Sequence, residues 1–210
     1  MNRENVSSFA PQDDAAGGEQ AVAGPVDVRD ILTRAPLRLA CLQAVRDLGL
    51  PDAWIGAGFI RNAVWDALTG RAHDPRAHDV DVVFFDAALT SEPEAIAAER
   101  RLEQTLAGVV PGLDWSVTNQ ARMATRNVDR PYRDTADAIA HWPETATAVA
   151  AQVDGAGGIR LLAPHGLDDL LALVVRPTPA FADKPAIWEK RCREKAWQSR
   201  WPEVRFLPRT

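Results

Sequence analysis

Apolar residues along this chain follow two rhythms, one with the period of a helix face and one with the period of a strand. Leu37, Cys41, Val45 and Leu48 recur at helical spacing, so a helix is predicted there, with Pro36 in its first turn and Gly49 as its stop. A short Asp-Val-Arg-Asp-Ile-Leu turn from Asp27 precedes it. Ala53-Trp54-Ile55-Gly56 reads as a short strand entering a Gly-rich turn, and Phe59 to Leu68 as a helix with Ile60, Val64 and Leu68 on one face and Gly70 at its end. Val80 to Phe85 is β-branched and aromatic on both faces, as a central strand would be. Ser91 and Glu94 have capping-box spacing before a helix carrying Ile96, Leu102, Leu106 and Val109.

The pattern then changes sign. Asp114 to Met123 alternates Trp115, Val117 and Asn119 against Ser116, Thr118 and Gln120, which predicts a strand. Thr135 to Trp142 reads as a helix. Ala148 to Val153 and Ile159 to Leu162 flank a Gly-rich turn and predict a hairpin. A last core helix is expected from Leu167 to Val175, ended by Pro177 and Pro179. No repeat interrupts this order, and the fold class it implies is α+β or α/β.

Composition narrows the class further. The chain has 210 residues and 22.9 kDa, with 46% hydrophobic and 25% charged residues, which fits one globular domain with a tail. Residues 1–25 hold almost no large apolar side chain and are expected to be a disordered tail. Residues 26–183 are expected to form the domain, and 184–210 a basic, aromatic helical extension packed on it. The net charge of -5 argues against a bulk nucleic-acid coat. Cys41 and Cys192 are too few for a disulfide framework. No apolar run has the length of a membrane span and no secretory signal is visible, so the expected location is cytoplasmic, away from any membrane.

Charge placement matters more than its total. Asp79 and Asp81 lie two apart in a strand, so both carboxylates share a face while Val80 and Val82 pack on the other. Two like charges so close raise each other's pKa unless a cation intervenes. Mg²⁺ is the natural partner, because it takes one or two carboxylates together with substrate phosphate oxygens. Gly56-Ala57-Gly58, turning into a helix, offers backbone N–H groups and the positive end of the helix dipole to a phosphate. Arg61, in the first turn, adds a fork of donors suited to a triphosphate. A dinucleotide fingerprint is a poorer match, since Arg61 stands where its third glycine would be and the second aspartate has no ribose to hold.

Gly56 to Gly70 followed by Asp79-Val-Asp-Val-Val-Phe-Phe-Asp86 resembles the DNA polymerase β-type nucleotidyltransferase superfamily. It is most similar to a small bacterial nucleotidyltransferase-like family formerly known as a domain of unknown function. Trp115 to Met123, Pro131-Tyr132, Trp142 to Val149, Ala163 to Leu170 and Arg176-Pro177 carry the same resemblance. The first two motifs are also similar to the head of CCA-adding enzymes, with Ala57-Gly58 in place of a glycine pair and Asn62 in place of an aspartate. The resemblance implies an α+β fold of the polymerase β type, with a mixed β-sheet flanked by helices. It further implies two Mg²⁺ ions on Asp79 and Asp81 and attack by a hydroxyl on the α-phosphorus of a nucleoside triphosphate.

Several residues remain to be assigned. Asp114 opens the next strand and is the first candidate for a third catalytic carboxylate; Asp134 and Asp137 lie in a stretch that resembles one in CCA-adding heads. Asn119, Gln120 and Arg122 are candidate nucleotide contacts or structural groups. His73 and His78 lie in the loop beside the aspartates, as substrate contacts or solvated side chains. Trp65 and Trp115 are expected to be packing anchors, with base stacking as the alternative. Asp168 and Asp169 are expected to cap a helix. From Lys184 onward eight cations face three acids, either a basic wall for substrate or solvated charge on a docked helix. The function expected is Mg-dependent transfer of a nucleoside monophosphate to a hydroxyl on a small molecule, protein or RNA. The alternatives are an inactive nucleotide- or partner-binding relative, and an RNA-tailing head.

Overall fold

The computed structural model describes residues 26–207 apart from positions 73, 90 and 128. The expected tail 1–25, His73 and Arg209 lie outside the described residues. In chain order the elements are α1 (Val28–Thr33), α2 (Pro36–Asp47), β1 (Trp54–Gly56), α3 (Gly58–Leu68), β2 (Asp79–Phe84), α4 (Glu92–Val109), β3 (Asp114–Asn119), α5 (Met123–Asn127), α6 (Thr135–Ala140), β4 (Ala150–Val153), β5 (Ile159–Leu162), α7 (Asp168–Leu171), β6 (Val174–Val175), α8 (Pro185–Lys195) and β7 (Arg205–Phe206). The fold is α+β.

Five strands form a mixed sheet in the order β3-β2-β1-β4-β5. β2 and β3 are parallel, joined by α4 as a crossover; the other neighbours are antiparallel. The period-two alternation of β2 divides its side chains between two unlike faces. Val80, Val82 and Phe84 enter the main core, with Leu42, Ile60, Val64, Leu106 and Val117. Val83 joins a smaller cluster with Trp54, Ile139, Ala148 and Ala150. Asp79 and Asp81 share the Val83 face.

The longest departure from expectation lies near the end. The helix expected over Leu167 to Val175 stops at Leu171, Leu173 takes a left-handed φ of 52°, and Val174–Val175 pair in parallel with Arg205–Phe206. Periodicity cannot reveal this, because the partner strand lies far along the chain. Asp168 and Asp169 do not cap α7: its N-cap is Leu167, and Asp169 pairs with Arg176 at 3.0 Å and accepts from Thr145 at 2.7 Å. At α4 the N-cap is Ser91, without the side-chain hydrogen bond of a capping box.

α8 and the 3₁₀ turn Trp197–Ser199 close over α3. Trp197 and Trp201 are buried and meet Trp65 edge-on at 6.3 and 5.2 Å. Trp201 Nε1 donates to buried Asp66 at 2.8 Å, and Arg200 reaches the same carboxylate at 3.0 Å, compensating a charge that would be costly to bury alone. Trp65 and Trp115 are core anchors as expected: both are buried, and their indole N–H groups donate to the carbonyls of Leu170 and Val110. Cys41 lies in the core, where burial pushes its thiol up to about 11, a structural thiol. No helix among the described residues is long and apolar enough to cross a membrane.

Candidate functional site

The turn between β1 and α3 is built by two unusual backbone positions. Gly56 is required by close approach, since a Cβ there would lie 2.7 Å from the Trp142 ring and 3.1 Å from the Val149 carbonyl. Ala57 is strained, at φ 53° and ψ -123°, a conformation glycine adopts far more readily. It is the N-cap of α3 and makes no side-chain cap hydrogen bond. The first N–H groups of the helix therefore lack a side-chain cap, the condition under which a helix N-terminus can take an anion.

β2 faces this turn across one cavity of about 210 Å³, lined by Ala57, Gly58, Arg61, Asn62, Asp79 and Asp81 together with residues of the C-terminal segment. The glycine turn and the paired aspartates thus share a site. Burial, and after it the charge of Asp79, pushes the Asp81 carboxyl up to about 6, against the opposing pull of Lys195, Arg61 and Arg191. A carboxylate pair under that strain is suited to a divalent cation. Two hard oxygen donors plus substrate phosphates match the needs of Mg²⁺, and the donor set fits that metal. No group of three His, Cys, Asp or Glu residues with metal-binding geometry exists among the described residues.

Arg61 is held more tightly than a surface arginine would be. Its Nη1 donates to Thr147 Oγ1 at 2.8 Å and its Nη2 to Asn62 Oδ1 at 2.9 Å. The guanidinium lies 4.9 Å from the Trp197 ring and 5.3 Å from that of Trp65. Burial lowers its pKa to about 10, so it stays charged at neutral pH, and its buried Nε has no partner. His78 also lines the cavity, with its buried Nε2 unpartnered; burial and then Arg200 hold its pKa below the ordinary value. The Arg61 Nε–H is a donor available to a phosphate oxygen.

The C-terminal cations, expected either as a basic wall or as solvated charge on a docked helix, divide between the two places. Arg191, Lys195 and Arg200 line the same cavity as the aspartates. Arg191 is braced by a bidentate ion pair with the fully buried Glu144, while Lys195 forms no ion pair among the described residues. The visible signal was the four-residue spacing of Arg191 and Lys195, which puts both on one face of α8. That segment docks its aromatics on the core and also presents cations to the site.

Other candidates are placed elsewhere. Asp114 pairs in register with Asp79, on the same face, but is exposed and does not line the cavity. Asn119 falls on the opposite face, fully buried, where its amide accepts from the Asp86 and Ala121 N–H groups and donates to the Asp86 carbonyl. Arg122 is held by Glu99, and by Glu92 at 3.6 Å. Asn119 thus holds the Asp86 loop and Arg122 is tied to α4, and neither lines the cavity of the aspartates. Asp134 caps α6 and Asp137 is held by Arg130 and Arg133, which leaves neither as a third carboxylate.

A protein-family profile described as nucleotidyltransferase matches residues 43–206. Among solved structures, one described as revealing a CCA-adding enzyme head domain is 31% identical, with a TM-score of 0.77 over 87% of this chain and 95% of its own. A CCA-adding enzyme in complex with CTP is 17% identical with a TM-score of 0.53 over 87% of this chain and 43% of its own. The Thermotoga maritima CCA-adding enzyme complexed with tRNA is 18% identical with a TM-score of 0.51 over 87% and 42%. These last two show a shared fold, and the chain spans about two fifths of their length. No curated protein matches it.

Proposed function

The chain belongs to the nucleotidyltransferase family, and from that premise we propose that it transfers a nucleoside monophosphate from a nucleoside triphosphate to a hydroxyl acceptor. The observation that carries this reading is one cavity in which Asp79 and Asp81 face the Gly56–Gly58 turn and the cations Arg61, Arg191, Lys195 and Arg200. Neither a core packing role nor a dinucleotide site calls for that combination of acids and cations.

Asp79 and Asp81 would hold Mg²⁺, which when bound supplies charge stabilisation at the triphosphate and at the attacking oxygen. The N-terminus of α3 and Arg61 bind phosphate oxygens. Lys195, exposed and without an ion pair among the described residues, offsets the charge building on the leaving pyrophosphate. The two tryptophans around Arg61 keep its fork in one orientation, which lowers the ordering cost of binding.

Calorimetric titration with a non-hydrolysable triphosphate tests the reading. Binding is expected to require Mg²⁺ and to be lost in the double variant Asp79→Ala/Asp81→Ala. Metal-independent binding that survives the double change would overturn it. The placement of Asp114 outside the cavity favours a second reading, a nucleotide-binding relative without turnover. Triphosphate binding with no pyrophosphate release for any acceptor would select it.

A further inference from the structure

β2 underlies two cavities that meet at Asp81. The first is the one shared by Asp79 and the cations. The second, about 270 Å³, is lined by Val83, Thr118, Gln120, Met123, Trp142 and Pro143, and has Ala57, Asp81, Thr147 and Arg191 in common with the first. Since Asp79, Asp81 and Val83 succeed one another on one face of the strand, at roughly 3.3 Å per residue the two lobes lie end to end along it.

We propose that the Val83 lobe is the acceptor subsite and takes a small, uncharged hydroxyl compound with an apolar body. The proposal rests on the nucleotidyl-transfer reading above. In-line displacement places the entering oxygen opposite the leaving group. With pyrophosphate held by Arg61 and Lys195 in the first lobe, the acceptor enters from the other side of Asp81. Its oxygen bonds to the α-phosphorus as the bond from that phosphorus to the bridging β-phosphate oxygen breaks. Pyrophosphate keeps the electron pair, and the hydroxyl proton passes to water.

The chemistry of the lining selects the class of acceptor. Its charged residues are Asp81 and Arg191, and Arg191 is already engaged by Glu144. Arg122, beside Met123 in the chain, is taken by Glu99 and Glu92. An RNA end would bring a phosphate with each nucleotide into a lobe with no spare cation. The Trp142 ring, wedged against Gly56, makes a fixed apolar wall. Thr118 and the buried Gln120 supply polar groups that orient a hydroxyl compound.

The test uses the full chain, Mg²⁺ and α-labelled nucleoside triphosphates. The acceptors are 2-phenylethanol, methyl glucoside and N-acetyltyrosine amide, with a short oligoribonucleotide and tRNA as competing probes. Label is expected to pass saturably to at least one neutral compound and not to RNA. The variants Thr118→Trp and Met123→Arg, checked for folding by thermal melting, are expected to slow transfer about tenfold or more while triphosphate affinity is retained. Label on RNA alone, on no acceptor, or undiminished in folded variants of both kinds overturns the acceptor assignment while triphosphate binding stands. Loss of Mg²⁺-dependent triphosphate binding in the parent chain overturns the underlying reading and the assignment with it.

Discussion

Asp114 stands directly opposite Asp79 in the parallel register of β2 and β3, on the same face of the sheet. Both residues sit at the exposed start of their strands, yet only Asp79 contributes to the cavity lining. A metal ligand must bring its oxygen to within about 2.1 Å of Mg²⁺. Asp81→Asn is therefore expected to lower nucleotidyl transfer by about 100-fold or more, and Asp114→Asn by less than about tenfold. Initial rates of pyrophosphate release measure both, and equal losses would make Asp114 a third ligand.

Arg191 and Lys195 share a face of α8 but not a fate. Arg191→Ala leaves the Glu144 carboxylate buried and unpaired, a loss of about 3 kcal/mol or more. Lys195→Ala removes an exposed cation with no ion pair among the described residues and is expected to change stability by less than about 0.5 kcal/mol. Triphosphate affinity should nevertheless fall about tenfold in Lys195→Ala. Denaturant melts separate the first effect, and titration calorimetry the second.

Ala57 holds a backbone conformation that costs about 1 kcal/mol or more for a residue with a Cβ. Ala57→Gly relieves that strain at the expense of greater freedom in the unfolded chain. The expected outcome is a melting temperature equal to or a few degrees above that of the parent. A drop of several degrees would mean the Ala57 methyl is packed rather than strained.

Asp137 couples stability to pH. Hydrogen bonds from Arg130 hold its carboxyl well below the usual range, with further donation from Arg133. A depressed native pKa stabilises the fold above the unfolded value near 3.8 and is lost as pH falls through the native one. Both arginines are largely exposed, so solvent limits the contribution to about 1 kcal/mol. Asp137→Asn should melt a few degrees lower than the parent at neutral pH, with the gap closing as pH drops below about 4. A gap independent of pH would refute the electrostatic origin.

Local pattern carried much of this architecture. The Asp79–Asp81 spacing, the glycine turn and the β4–β5 hairpin are each written within a few residues, and the period of a strand alone puts both aspartates on one face. What stayed hidden depends on partners distant in the chain. Asn119 and Arg122 are polar and adjacent to a functional strand, but the Asp86 loop and Glu99 claim them. Val174–Val175 looked helical because their neighbours are, and only Arg205–Phe206 makes them a strand. The basic character of α8 was plain; that Glu144 turns Arg191 toward Asp81 was not, since a buried glutamate in a loop has no signature until its partner arrives.

The pairing of an early acidic strand with a late basic helix orders events during synthesis. Asp79 and Asp81 leave the ribosome long before Arg191, Lys195 and Arg200, which share their cavity. Trp197 and Trp201, which close the core around Trp65, are equally late. A nascent chain thus carries an acidic pair faced by Arg61 but not yet by the α8 cations, beside an open core, until translation has passed Trp201. The cationic side of the cavity and the aromatic seal of the core therefore arrive together.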